Sequence, residues 1–401
     1  MSHTRRLTML AGAMLWCVTA TAADWPEFRG PGGRGVAPAQ PLRVRWSESE
    51  GIAWKADLPG RGASSPIVVG DLVVVTASSG ARQDQLHVIA LDKMSGRTAW
   101  HRRFWATGRT LVHPTSAVAA GTPASDGRCI VALYSSCDLF AVDLTGRLLW
   151  QRNLAVEHPR SGNDVGMGSS PRIIDGTAVV QIDCQGDAFA LGVDVATGQD
   201  RWIVPREKVA SWSSPSAVTM PGHGACVLLQ GPRGLDLRRT ADGKSIWAWQ
   251  GDCAAIPTAV ESAAVFHVPG DGMVAVAPAA AAARLAWRSS KLSCGMASPL
   301  AWGDAIACIN RAGVLSIGEL ADGRLRGQVR LAGSFWGSPI LVGDTIVAAN
   351  KEGKTFLVAA TGEPKIVAEN ELPGTFTATP AVADGRLYLR SETTLWKVAA
   401  P

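Results

Sequence analysis

Beyond residue 23 the chain shows no sustained helical periodicity; short apolar runs rich in β-branched residues are separated by turns of Gly, Asp and Ser. That pattern predicts an all-β protein with almost no helix. Strands are predicted for Ile67–Thr76 against Leu86–Leu91, Ile173–Ile182 against Ala188–Leu191, and Ile340–Ala349 against Thr355–Ala359. The runs recur in register. Eight times a small or polar residue is followed by proline and a β-branched run, at Pro66, Pro123, Pro171, Pro215, Pro257, Pro299, Pro339 and Pro380. The intervals are 57, 48, 44, 42, 42, 40 and 41 residues, close to the length of one four-stranded propeller blade. The expected fold is an eight-bladed β-propeller of four-stranded antiparallel blades.

A second marker follows most of the prolines. Gly96, Gly146, Gly198 and Gly243 each precede a tryptophan by four residues, at Trp100, Trp150, Trp202 and Trp247. Glycine at positive φ can close a hairpin there, and the ring on the returning strand is large enough to fill the wedge between blades. Trp54, Trp100, Trp150, Trp202, Trp247 and Trp287 are therefore read as blade-docking residues. Later units diverge: Trp287 lacks the glycine, and Asp322-Gly323 leads to Gly327 where a tryptophan is expected. Ile52-Ala53-Trp54-Lys55-Ala56 precedes the first proline marker, and the last unit ends soon after Leu395-Trp396-Lys397-Val398. The N-terminal segment is expected to supply the outer strand of the last blade, which removes the two free edges of an open ring.

A closed ring lets residues 24–401 form one domain, because each blade buries both faces against neighbours. Residues 1–23 read as a secretory signal: Arg5 and Arg6, an apolar stretch from Leu7 to Val18, then the small residues Thr19-Ala20-Thr21-Ala22-Ala23. A periplasmic or secreted protein is expected, with no membrane span. Seven cysteines follow the signal, an odd number, so at least one thiol stays unpaired. Most fall on core strands; Cys253 and Cys294, similarly placed in adjacent units, are the pair to test for a bridge. The net charge of +5 includes Arg5 and Arg6, and the remaining basic residues are scattered. Nucleic acid is not an expected partner, and a monomer is expected.

With both markers established, the chain resembles the pyrroloquinoline-quinone (PQQ) repeat superfamily, which includes quinoprotein alcohol dehydrogenases and the assembly factor BamB. Ala90-Leu91-Asp92-Lys93-Met94-Ser95-Gly96-Arg97-Thr98-Ala99-Trp100 is similar to its tryptophan-docking repeat, and Ser64-Ser65-Pro66-Ile67-Val68-Val69-Gly70-Asp71 to its blade opening. Asp24-Trp25-Pro26-Glu27-Phe28-Arg29-Gly30-Pro31 looks like the start of a secreted subgroup of unassigned function. The resemblance implies an eight-bladed ring. It implies PQQ only where the cofactor's own site is present: a Trp, a disulfide of adjacent cysteines, Ca²⁺ on acidic and amide oxygens, and an Asp base. No two cysteines are adjacent here, and Asn163, Asp164 and Asp183 form no recognisable calcium loop.

In a propeller the residues just before each inner strand line one mouth of the channel. The candidates are Arg61, His113, Met167, Trp212, Met296, Trp336 and Phe376. The Trp and Met members suit a flat ring or a peptide segment, and Arg160 with Arg29 or Arg61 is a candidate holder of an acidic ligand. The long segments 105–122 and 158–168 are candidate functional loops. No GxSxG, HExxH, Walker or CxxC motif is present, and no catalytic residue or metal ligand is assigned. The leading reading is a non-catalytic binding or scaffolding module for a protein or envelope partner. The alternatives are a PQQ-dependent oxidoreductase of alcohols or sugars using calcium, and a carbohydrate-binding propeller.

Overall fold

A computed structural model describes residues 24–279 and 283–401; the predicted signal lies outside them. The strands form eight antiparallel sheets in a ring. Blade 1 comprises Ile67–Val69, Leu72–Ser79, Gln85–Asp92 and Thr98–Trp105. Blades 2 to 8 open with Ala124–Ser125, Arg172–Ile174, Ser216–Met220, Val260–Ser262, Leu300–Trp302, Ile340–Val342 and Ala381–Ala383, which sit innermost. Each predicted opening strand is in fact two. Ile67–Val69 turns at Gly70-Asp71 and pairs with Leu72–Ser79, and the same hairpin divides Ile173–Ile182 and Ile340–Ala349. Gly70 and Gly343 adopt φ of 55° and 56°, and Asp175-Gly176 of 45° and 70°. A reversal of that hand is cheap for glycine and tolerable for aspartate.

The ring closes in blade 8, where Ile52–Asp57 pairs with Thr394–Val398, from Ile52 opposite Val398 to Asp57 opposite Thr394. The apolar core lies in layers between blades; Val88 of blade 1 packs with Phe140 of blade 2, and Leu139 of blade 2 with Leu191 of blade 3.

The tryptophans explain how neighbouring blades are held. Each docks on the glycine turn of the following blade: Trp100 on Gly146, Trp150 on Gly198, Trp202 on Gly243, Trp287 on Gly323, and Trp54 of blade 8 on Gly96 of blade 1. A Cβ at any of these glycines would lie 2.5–2.8 Å from the ring above it. Each indole N–H donates to a carbonyl of the same turn, for example Trp100 to Leu144 at 2.7 Å and Trp54 to Lys93 at 3.1 Å. The turns are stiffened from below, as where the Asp92 carboxylate accepts the Ser95 backbone N–H at 2.7 Å and its hydroxyl at 2.6 Å. Where a marker is missing the contact changes. Trp247 stacks on Phe266 of blade 5, ring centres 5.4 Å apart. Gly327 leaves a space occupied by Pro364.

The N-terminal segment forms a second closure that the sequence did not predict. From Asp24 to Gln40 it crosses the channel mouth opposite the blade openings and touches the blades in turn. Trp25 bridges Val68 of blade 1, the Pro26 carbonyl accepts from Ser125 of blade 2, and Glu27 pairs with Arg172 of blade 3 at 2.7 Å. Arg34 reaches Glu261 of blade 5, and Val36–Ala37 adds a parallel strand to Leu341–Val342 of blade 7. Gln40 accepts from Gly385 of blade 8.

All seven described cysteines are free thiols; Cys294 lies against Cys308 and not Cys253. No described helix is long and apolar enough to cross a membrane.

Two outcomes follow from the interblade layers. Gly70 and Gly96 share a left-handed backbone, but a Cβ at Gly70 meets nothing within 4 Å. Gly96→Ala is expected to cost about 1–3 kcal/mol more than Gly70→Ala in urea denaturation, the overpacking against Trp54 being the difference. His267 is 1% exposed beneath Trp287, with neither ring nitrogen partnered among the described residues, and burial lowers its pKa to about 4. It binds fewer protons folded than unfolded, so its contribution is full above about pH 6.5 and lost as pH falls toward 4. His267→Leu should flatten that acid limb of the stability curve by roughly 2–3 kcal/mol.

Candidate functional site

The inner strands begin at a funnel of about 310 Å³. Its wall is built in two tiers of eight, one residue per blade. The lower tier is hydroxylic: Ser65, Thr122, Ser170, Ser214, Thr258, Ser298, Ser338 and Thr379. Each backbone N–H donates to the hydroxyl of the next blade: Ser65 to Thr122, Thr122 to Ser170, Ser170 to Ser214, Ser214 to Thr258, Thr258 to Ser298, Ser298 to Ser338, Ser338 to Thr379, and Thr379 back to Ser65. All eight bonds are 2.9–3.0 Å. In seven blades the next residue is the marker proline, which has no N–H that would need an acceptor and holds the ring residue extended. In blade 5 that place belongs to Ala259, and the expected marker Pro257 lies two residues early.

The upper tier stands two residues before the ring: Ala63, Ala120, Gly168, Trp212, Ile256, Met296, Trp336 and Thr377. Its bulk is lopsided. Blades 4 to 7 supply Trp212, Ile256, Met296 and Trp336, whereas the small residues of blades 1 to 3 leave room for His113, Thr115, Ser116 and Val165 from the two long loops. The Trp212 indole is fixed by donating to Gly166 at 2.8 Å. Phe28, carried by the N-terminal segment, forms the floor.

Of the seven candidates read from the sequence, His113, Trp212, Met296 and Trp336 line this funnel. Met167 and Phe376 do not: each is one residue further from the ring than the upper tier, and an extended chain turns them into the gaps between blades. Arg61 lies at the rim, paired with Glu392 at 2.8 Å and donating to Pro114 at 3.0 Å. Arg160 pairs with Asp187 and Asp183 with Arg206, while Arg29 is buried, so these arginines do not converge.

The wall of the funnel carries no Asp, Glu, Lys or Arg. Three arginines stand just behind it. Arg172, neutralised by Glu27, donates to the Pro215 carbonyl at 2.8 Å. Arg29 donates to the carbonyl of Pro299, and Arg390 to that of Ser64 at 2.8 Å. Both are 1% exposed, and burial pulls each guanidinium down to about 9, which leaves it cationic at neutral pH.

A family model described as outer membrane protein assembly factor BamB matches residues 6–220 and 191–400, nearly the whole chain. The chain belongs to the BamB family. Its fold is similar to that of BamB from Moraxella catarrhalis (TM-score 0.64, 16% identity, 86% of this chain and 96% of that one). It is also similar to a europium-containing methanol dehydrogenase (0.67, 11%, 92% and 89%) and to the quinohemoprotein alcohol dehydrogenase of Comamonas testosteroni (0.65, 11%, 94% and 80%). At these identities the likeness is one of fold. No curated protein matches the chain.

Both branches of that likeness share the ring, so the funnel's own donors must be compared with the cofactor. A quinone beside calcium needs convergent carboxylate and amide oxygens and an acidic base. The funnel of this BamB-family chain offers hydroxyls, indoles and a thioether, and among the described residues no three His, Cys, Asp or Glu side chains converge. The residues present do not fit PQQ with calcium.

Thr258→Val keeps the shape of its ring position and deletes the acceptor for the Ser214 N–H. A loss of about 1–3 kcal/mol in chemical denaturation is expected.

Proposed function

We propose that this protein is an exported, non-catalytic propeller that binds a protein partner of the cell envelope, taking an apolar segment of it into the funnel. The observation that carries this reading is the lining: no acidic or basic side chain, a floor closed by Phe28, and one apolar side made by Trp212, Ile256, Met296 and Trp336. Such a wall can bury apolar groups and hold main-chain polar atoms on hydroxyls, as binding pockets commonly do, and it supplies no general acid, base or metal ligand beyond a lone His113. The predicted signal at 1–23 and the family's assembly-factor description agree with a role in the envelope. Trp and Met are the side chains over-represented at the cores of such interfaces.

Two measurements test the reading. Titration of the purified protein with PQQ, with and without Ca²⁺, should show no calcium-dependent saturable change in quinone absorbance; calcium-dependent saturation that Trp212→Ala or Trp336→Ala removes would establish the oxidoreductase instead. A photoreactive amino acid replacing Thr377 in the funnel should crosslink to a discrete envelope protein in cells, and the same probe at exposed Glu363 should not. Equal labelling from both positions would remove the funnel from the binding surface.

A further inference from the structure

Each ring hydroxyl accepts one backbone N–H, and none donates its own proton to an acceptor among the described residues. A hydroxyl always carries that donor as well. Eight O–H groups, every one on a side chain more than nine-tenths buried, are therefore free to turn toward the floor of the funnel. The wall offers them no carboxylate.

The charge behind the wall has the same sense. Arg29 hangs from the carbonyl next to Ser298, and Arg390 from the carbonyl next to Ser65. Neither guanidinium has a carboxylate partner among the described residues, and each keeps two nitrogens without any hydrogen-bond partner. Arg172, in the equivalent place behind Ser214, is neutralised by Glu27; the other two are not. At the mouth, Nδ1 of His113 accepts the Thr115 backbone N–H at 3.2 Å, which leaves the ring proton on Nε2 as one more donor.

We infer that the floor of the funnel is an oxyanion site that takes a carboxylate, whose oxygens accept from the ring hydroxyls. A carboxylate has about four lone-pair positions, so the ring oversupplies donors whichever way the group enters. A neutral ligand would use the hydroxyls but leave two buried cations uncompensated, and a cation would be repelled by them. The apolar half of the upper tier then faces whatever carries the carboxylate. The volume, near the lower end of roughly 300–1,000 Å³ for ligand pockets, fits a small free acid or the C-terminal end of a polypeptide. The inference deepens the protein-binding reading and rests on it only for the source of the carboxylate.

Calorimetric titration of the purified protein at fixed ionic strength, against a sodium chloride blank, tests it with sodium formate, N-acetyl-Leu-Phe as the free acid, and the same dipeptide as its amide. The free acid is expected to bind at least tenfold more tightly than the amide, with formate competing. Phe28→Asp, which puts a carboxylate on the floor, should abolish acid binding, while Phe28→Asn should retain it; Thr258→Val, one donor short, should weaken it. Acid and amide binding equally, or no binding of either acid or formate to the unsubstituted protein, overturns the site and leaves the protein-binding reading to the crosslinking result. Formate binding without either dipeptide establishes the oxyanion site with a small acid as its ligand and counts against a polypeptide occupant.

Discussion

A backbone N–H that donates to a hydroxyl on the next blade, repeated until it returns to its start, is the interaction that organises this molecule. It occurs where eight inner strands crowd one axis and where their outward-facing backbone donors have no strand to pair with. An unpaired buried N–H there would cost on the order of 1–3 kcal/mol, and the ring satisfies eight at once. Because every link runs between adjacent blades at 2.9–3.0 Å, the diameter of the channel is set by hydrogen-bond geometry more than by side-chain bulk. The tryptophans do the corresponding work at the periphery, each ring seated on a glycine of the following blade. Inner and outer fastenings thus tie blades in the same sequential order, and Trp54 and Ser65 carry both across the junction between blade 8 and blade 1.

The N-terminal segment converts that ring into a cup. Without it the channel would run through; with it, Phe28 closes one end and Arg29 places a charge behind the wall. Arg29 stands in a left-handed conformation, φ 64°, between Phe28 and Gly30. A strained backbone held by surrounding contacts is usual where a side chain must be aimed. The hydroxyl ring then gains a second meaning, since the same atoms that accept from the backbone present their protons to the enclosed space.

Much of this was legible in the sequence, and the failures are instructive. The proline and tryptophan rhythms gave the blade count and the closure by residues 52–57, because both record packing that repeats locally. Strand boundaries were missed at Gly70-Asp71 and Gly343-Asp344, where β-branched runs on both sides masked a two-residue reversal. The ring itself was visible as seven Ser or Thr residues directly before proline; Ile256 before Pro257 was the exception, and it was the sign that blade 5 had been misregistered by two. Whether a residue faces the channel depends on parity from the ring, which places Met296 and Trp336 in the funnel and turns Met167 and Phe376 away. The N-terminal cup gave no such signal, since its contacts with Arg172, Leu341 and Gly385 join residues more than a hundred positions apart and leave no periodicity.

The closure of blade 8 has a kinetic side. Ile52–Asp57 and Thr394–Val398 are the first and last full strands of the chain, and their pairing spans a sequence separation near the largest this length allows. Such pairings are slow to form, because the loop entropy must be spent before the contact rewards it. As the chain emerges, Ile52–Asp57 has no strand to pair with until the end arrives. During that interval it is an unpaired β-edge that a chaperone would be expected to shield.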